Sequence, residues 1–74
     1  MDFDYKIVET VAVLSSQGNV SKELNLVSYN GNPAKLDLRI WKRTEQGEKL
    51  LKGLTLTGEE ARVLKQALNA RADI

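Results

Sequence analysis

The sequence predicts an α+β fold: a four-stranded antiparallel curved sheet followed by one C-terminal α-helix (ββββα). Two features indicate this fold. Residues 5–56 contain four runs that are β-branched or alternately apolar and polar, separated by segments of turn composition. Residues 58–72 instead repeat apolar positions at helical spacing. The 74 residues make a single domain, 1–74. A chain this short buries only about 60–65% of its unfolded surface, so we expect a homodimer that enlarges the core.

The predicted strands are bounded by glycine, asparagine and serine. Asn30-Gly31 favours a tight hairpin turn, because both residues readily adopt a positive φ. Gly53 interrupts the last strand, which indicates a bulge or a place where backbone or ligand comes close. Ser15–Asn19 and Thr44–Gly47 have turn composition. The predicted strands are Tyr5–Leu14, Val20–Tyr29, Ala34–Arg43 and Glu48–Leu56.

The helix is predicted from its N-terminal signal and its apolar stripes. Thr57 is the expected N-cap and Glu60 its capping-box partner, and the helix runs to about Ala70 or Ala72. Its apolar positions span an arc of roughly 200°, which is wider than one sheet requires. Either a second copy covers the remainder, or the extra alanines are surface helix formers. On the first reading, the dimer interface contains Leu64, Ala67 and Leu68.

The third strand has two different faces. Leu36, Leu38 and Ile40 fall on one face, which we predict to be the core face. The other face combines cations with a large aromatic ring, a mixture suited to a flexible polyanion because charges contact phosphates and flat rings stack on bases. An ordinary half-buried strand with a solvated polar face remains the alternative. The residues on this second face are Lys35, Asp37, Arg39, Trp41 and Arg43.

Composition excludes several kinds of site. The chain has no cysteine and no histidine, which excludes disulfides, thiolate zinc sites and imidazole ligands or bases. No apolar run approaches the roughly 18 residues of a membrane span, and the acidic start is unlike a signal peptide, so we expect a cytoplasmic protein without a membrane partner. Net charge is only +1, but residues 34–56 carry six cations against three anions. Positive charge gathered in one region is typical of an anion-binding surface.

These observations predict a non-enzymatic, sequence-nonspecific single-stranded DNA-binding protein, with RNA as an open alternative ligand. Cations would bind phosphates, and the tryptophan and a tyrosine would stack on bases. We expect no cofactor, no metal and no small-molecule substrate. The predicted nucleic-acid-binding residues are Tyr29, Lys35, Arg39, Trp41, Arg43, Lys49 and Lys52.

Two other function classes fit the sequence less well. A protein–protein module could use the same tryptophan and arginine face, because these residue types also dominate interface hot spots. An enzyme would need reactive groups that the sequence hardly offers. Asp2 and Asp4 are a closely spaced acidic pair, but they lie near a terminus, where fraying is common. Ser15 and Ser16 have no histidine to activate them.

Two motifs resemble the transcriptional positive cofactor 4 family, and especially its short bacterial members. They are Asp37-Leu38-Arg39 in the third strand and Lys52-Gly53-Leu54-Thr55-Leu56-Thr57 at the entry to the helix. The resemblance runs from about Val20 to Leu68. It implies a homodimer with helices at the dimer interface and curved sheets that form a cradle for single-stranded DNA. The carried-over ligand positions are Tyr29, Arg39 and Lys52, with Trp41 beside the family's aromatic pair.

The chain also departs from the family pattern. Ala61 stands in the first helical turn, where the family often has a bulky aromatic residue. Ile40-Trp41-Lys42 replaces the more usual run of one acid and two aromatics, which changes the expected aromatic stack. The long regulatory tail of the eukaryotic coactivators has no counterpart, so contacts made through that tail are not expected here.

Overall fold

The computed structural model describes residues 4–74 and confirms the predicted order of four strands and one helix. The strands form one antiparallel sheet in the order β1-β2-β3-β4. β1 continues three residues beyond its predicted end at Leu14, because Ser15–Gln17 still pair with β2. The elements are β1 Tyr5–Gln17, β2 Val20–Tyr29, β3 Lys35–Thr44, β4 Gly47–Leu56 and α1 Gly58–Asn69.

The turn between β2 and β3 has the predicted backbone conformation. Asn30 and Gly31 both have positive φ, 52° and 78°, and the Asn32 amide donates to the Tyr29 carbonyl oxygen at 2.9 Å. Asp4 is attached to the same turn: its amide donates to Asn30 Oδ1 at 3.0 Å, and its carbonyl oxygen accepts from the Asn30 amide at 2.8 Å. The turn therefore also positions the start of β1.

The sheet curls strongly about its diagonal. Tyr5, at the start of β1, pairs with Tyr29 at one end of the sheet. Its hydroxyl nevertheless donates to Glu48 Oε2 at 2.5 Å, and Glu48 lies at the start of β4, at the opposite end and edge. Three register shifts in the β1–β2 pairing help β1 to bend in this way. Because two diagonally opposite corners of the sheet meet, one face of the sheet is concave.

The concave face, which carries Glu23, Asn25, Val27, Asp37 and Trp41, is the enclosed face of the sheet. All five residues are buried. The prediction that the leucine face of β3 is the core face is wrong, because the residues of that face are only half-buried. Alternation in a strand separates two faces, but it does not state toward which face the sheet curls. The half-buried residues are Leu36, Leu38 and Ile40.

Gly53 marks both a bulge and a close backbone approach, as predicted from its place in β4. It pairs with Arg39, and the β3–β4 register shifts between Arg39 and Trp41. A Cβ added at Gly53 would lie 2.6 Å from both Arg39 Cα and the Leu38 carbonyl oxygen. A side chain at this position would therefore force the two strands apart.

The helix α1 begins as predicted and lies on the face opposite the concave one, which we call the helix-bearing face. Thr57 Oγ1 accepts from the Glu60 amide at 3.1 Å, and Glu60 Oε1 accepts from the Thr57 amide at 2.8 Å, which completes the capping box. No residue of α1 is buried. A cleft of about 480 Å³ separates Leu64 and Leu68 from the leucines of the sheet. Within residues 4–74, no helix has the length and apolar character needed to cross a bilayer.

Candidate nucleic-acid interface

The first group of charged residues on the concave face surrounds Asp37, which is fully buried. Arg39 donates to its two oxygens from Nε and Nη2, both at 2.8 Å. Tyr29 donates its hydroxyl at 2.8 Å, and Thr55 donates at 3.1 Å. Burial alone would raise the pKa of Asp37, but the hydrogen bonds from these three residues outweigh it and hold the pKa below its usual value. The carboxylate is therefore ionised and satisfied within the chain.

A second group surrounds Glu23, which is also buried. Arg43 donates to it from Nη1 at 2.6 Å and Nη2 at 3.2 Å, and Ser21 and Asn25 add further hydrogen bonds. The hydrogen bond from Arg43 is the main reason that the pKa of Glu23 falls to about 2. Arg43 Nε also donates to Glu48 at 2.8 Å. One guanidinium thus joins two carboxylates from different strands.

Trp41 is fully buried between these groups. Its ring centroid lies 5.6 Å from that of Tyr5, and Arg43 Cζ lies 5.3 Å from the ring centroid, within cation–π range. The expectation of an exposed Trp41 ring is therefore wrong, and its stacking on bases stays a prediction. The curl of the sheet brings Tyr5 and Arg43 over an indole that would otherwise lie open.

The structure divides the remaining predicted ligands into engaged and unengaged groups. Arg39 and Arg43 each form an ion pair with a buried carboxylate, so their charges are already balanced within the chain. Tyr29 is half-buried and its hydroxyl donates a hydrogen bond to Asp37. Burial, and after it this hydrogen bond, raises the pKa of Tyr29 to about 12. Lys35, Lys49 and Lys52 are exposed, and none has an ion-pair partner among residues 4–74.

The three lysines do not share one face. Lys35 pairs with Val27 and therefore belongs to the concave side, whereas Lys49 pairs with Lys42 on the helix-bearing side. Lys52 shares a hollow with Lys22 on that side. Sequence reasoning missed Lys22 and Lys42 as candidates. The sequence does contain the information needed to find them. The Asn-Gly turn sets the β2–β3 register, which places Lys22 opposite Ile40 and therefore on the same face as Lys42, two positions further along β3.

Acidic residues of the concave face do not form a metal site. In the part of the chain that the structure describes, no group of three or more histidine, cysteine, aspartate or glutamate residues is arranged to hold a metal ion. Asp37 and Glu23 instead accept hydrogen bonds from arginines. Asp2, which the sequence pairs with Asp4, lies outside the described residues.

The fold and these contacts define a class: small α+β domains in which a curled four-stranded meander encloses an arginine–carboxylate network and is followed by one helix. The chain is 40% identical over 70 residues to an uncharacterized protein of Treponema pallidum (strain Nichols), across 93% of this chain and 80% of that protein. It belongs to the same family as that protein. No family model matches the chain, so the resemblance to the positive cofactor 4 family stays a prediction.

The buried carboxylates predict an acid-dependent loss of stability. Because the pKa of Glu23 is about 2 in the folded chain against its usual 4.5, its contribution is fully present above pH 4.5 and is lost as pH falls toward 2. The lowered pKa values of Asp37 and Glu48 act in the same direction. Urea unfolding at several pH values gives the free energy of unfolding as a function of pH. Between pH 4.5 and 2, the slope of this free energy against pH should be smaller for Glu23→Gln than for the native chain. An equal slope would contradict the Arg43–Glu23 contact.

The burial of Trp41 predicts a structural role for the indole. Trp41→Ala should lower the free energy of unfolding by about 3–5 kcal/mol, enough to unfold much of so small a chain, and Trp41→Phe should cost less. Urea unfolding followed by circular dichroism measures both, and Leu54→Ala, at a leucine that is 53% exposed, is the matched control. Acrylamide should quench Trp41 fluorescence far less in the folded native chain than in the chain unfolded by urea. Unhindered quenching would contradict the buried indole.

Proposed function

We propose that the chain is a sequence-nonspecific single-stranded nucleic-acid-binding protein of the transcriptional-coactivator type, active as a homodimer. One observation carries the proposal: internal carboxylates balance both arginines of β3, whereas the nearby lysines have no partner among residues 4–74. Such lysines give the sheet a surplus of positive charge that is available to an external polyanion. Three predicted phosphate ligands remain unengaged, Lys35, Lys49 and Lys52, and the two that share the helix-bearing side, Lys49 and Lys52, are the ligands that we propose.

The form of the ligand follows from the placement of these lysines. Lys49 and Lys52 lie on the outer side of a strongly curled sheet, and a flexible strand can follow such a curved surface more readily than a stiff duplex. With Trp41 buried and Tyr29 half-buried, stacking contributes less than the sequence suggests. Phosphate contacts then supply most of the affinity, and they carry no base sequence. DNA and RNA strands both carry the phosphates that such contacts bind.

Surface area supports the homodimer. The chain exposes 5833 Å², whereas a monomer of 8.3 kDa is expected to expose about 4,600 Å². The exposed area is larger than the expected area by more than the roughly 800 Å² that each partner buries in a standard interface. Much of the apolar part lies where α1 stands away from the sheet: Leu64 is 40% and Leu68 49% exposed, and Ala67 is also exposed. A second copy is the occupant that we propose for this cleft.

The alternative, a protein–protein module that uses the tryptophan and arginine face, has less support. A hot spot needs aromatic or arginine side chains that a partner can cover. Trp41 is already covered, and Arg39 and Arg43 are bound to carboxylates. A partner protein would have to break these contacts first.

Salt dependence tests nucleic-acid binding. The affinity for fluorescein-labelled oligo-dT should fall linearly on a log–log plot against salt, by about 0.7 per phosphate contact. Lys49→Gln/Lys52→Gln should weaken binding and reduce that slope, because two contacts are removed. Binding to a duplex of equal length is the comparison. Affinity that is unchanged from 50 to 500 mM salt, or no binding to oligo-dT at all, would overturn the proposal.

Light scattering tests the homodimer. Size-exclusion chromatography with light scattering should give twice the 8.3 kDa chain mass for the native protein. Leu64→Glu/Leu68→Glu should give the monomer mass, because a charge in an apolar interface is costly to bury. Val8→Glu/Leu14→Glu, at exposed apolar residues of β1, is the matched control and should stay dimeric. A monomeric native chain would remove the dimer from the proposal.

A further inference from the structure

We propose that the phosphates of the bound strand follow a groove across the helix-bearing face, over Ile40, and not the concave face. This inference rests on the proposed function and gives it a location. The lysines of the groove, called the lysine quartet below, include two that the sequence reasoning did not select. They are Lys22, Lys42, Lys49 and Lys52.

The register of the sheet brings the lysine quartet together. Lys42 lies directly opposite Lys49 in the β3–β4 pairing. Lys22 lies opposite Ile40 in the β2–β3 pairing, so it shares a face with Lys42 two positions away. Like charges placed directly opposite each other destabilise a sheet. No carboxylate forms an ion pair with any of the four within residues 4–74, so an external anion would relieve this repulsion.

Two adjacent hollows lie on either side of Lys22 and Ile40, which line both. One, of about 220 Å³, is also lined by Lys52 and reaches Gly53 in β4. The other, of about 210 Å³, reaches Ser15 in β1. The hollows lie side by side across the four strands, and together they are the groove; Lys42 and Lys49 flank it on the same face. Serine hydroxyls at its far end can donate to phosphate oxygens.

Two carboxylates at this end of the sheet face the concave side: Glu23 and Glu48 both bind Arg43 there. The residues paired with Lys22 and Lys42 are neutral, Ser15 and Val20 respectively. Glu45 is exposed in the turn between β3 and β4. No carboxylate of the described residues lines either hollow, so the groove presents lysines to an approaching anion.

The groove and the proposed dimer cleft occupy different ends of the same face. The cleft is lined by Leu24, Leu36 and Leu56 of the sheet together with α1. The groove lies beyond Leu38, toward the turns that join β1 to β2 and β3 to β4. Of the residues that the structure describes, none lines both the cleft and the groove, so a second copy can sit in the cleft without contacting the lysines that line the groove. Two grooves on one dimer would let a single strand contact both copies.

Paired charge removals test the groove. Lys22→Gln/Lys42→Gln removes two lysines of the groove, and Lys6→Gln/Lys35→Gln removes two exposed lysines at the other end of the sheet. All four positions are exposed, so both variants should fold, which circular dichroism checks. For oligo-dT at 100 mM salt, we expect the first variant to raise Kd about tenfold or more and to make the salt slope about 1.4 less steep, from two lost contacts. The control should change Kd by less than about threefold.

The outcomes separate this inference from the proposed function. If the native chain does not bind oligo-dT, the proposed function fails and the groove fails with it. If the native chain binds but both variants weaken equally, or the control weakens more, the groove is wrong while nucleic-acid binding stands. Lysine acetylation read by mass spectrometry gives a second measurement. Oligo-dT should protect the lysine quartet more than Lys6 or Lys35, and the reverse pattern would overturn the groove.

Discussion

The rest of this structure depends on two buried carboxylates and the arginines that bind them, Asp37 with Arg39 and Glu23 with Arg43. A carboxylate removed from water is tolerated only when donors satisfy it. Each arginine approaches its acid with two nitrogens, a geometry that a lysine cannot reproduce. The sheet curls toward the face that carries these residues, and Asp37 and Glu23 are buried there because these donors satisfy them. Trp41 is enclosed as a consequence, and the leucines are left on the outer face.

The same contacts explain why the two kinds of cation have different roles. Arg39 and Arg43 have a structural role, because acids on the concave face balance their charges. The lysines are compact, strongly hydrated charges on flexible stems, and they remain at the surface. Counting cations along β3 and β4 overstates the positive charge of the concave face. It understates that of the helix-bearing face, to which Lys22 of β2 also belongs.

Local signals in the sequence predicted the elements well. The capping box of Thr57 and Glu60 and the positive φ of Asn30-Gly31 depend on neighbours within a few residues, so they were correct in detail. The side of β3 that becomes enclosed was predicted wrongly, because it depends on residues of other strands. Asp37 needs Tyr29 and Thr55, and Trp41 needs Tyr5. A pattern that gives leucines to one face and charges to the other favours the leucines as core unless these partners are known.

The hydrogen bond from Tyr5 to Glu48 has a consequence for how the chain folds. It joins residues 43 positions apart, whereas the hairpins β2–β3 and β3–β4 form from close neighbours in the chain. Contacts between distant residues are slow to form, because a long loop must be closed before they contribute any stability. The meander of β2, β3 and β4 can therefore assemble while the indole is still in water. We therefore expect Trp41 to lose its water late in folding, when Tyr5 reaches Glu48 and covers the ring.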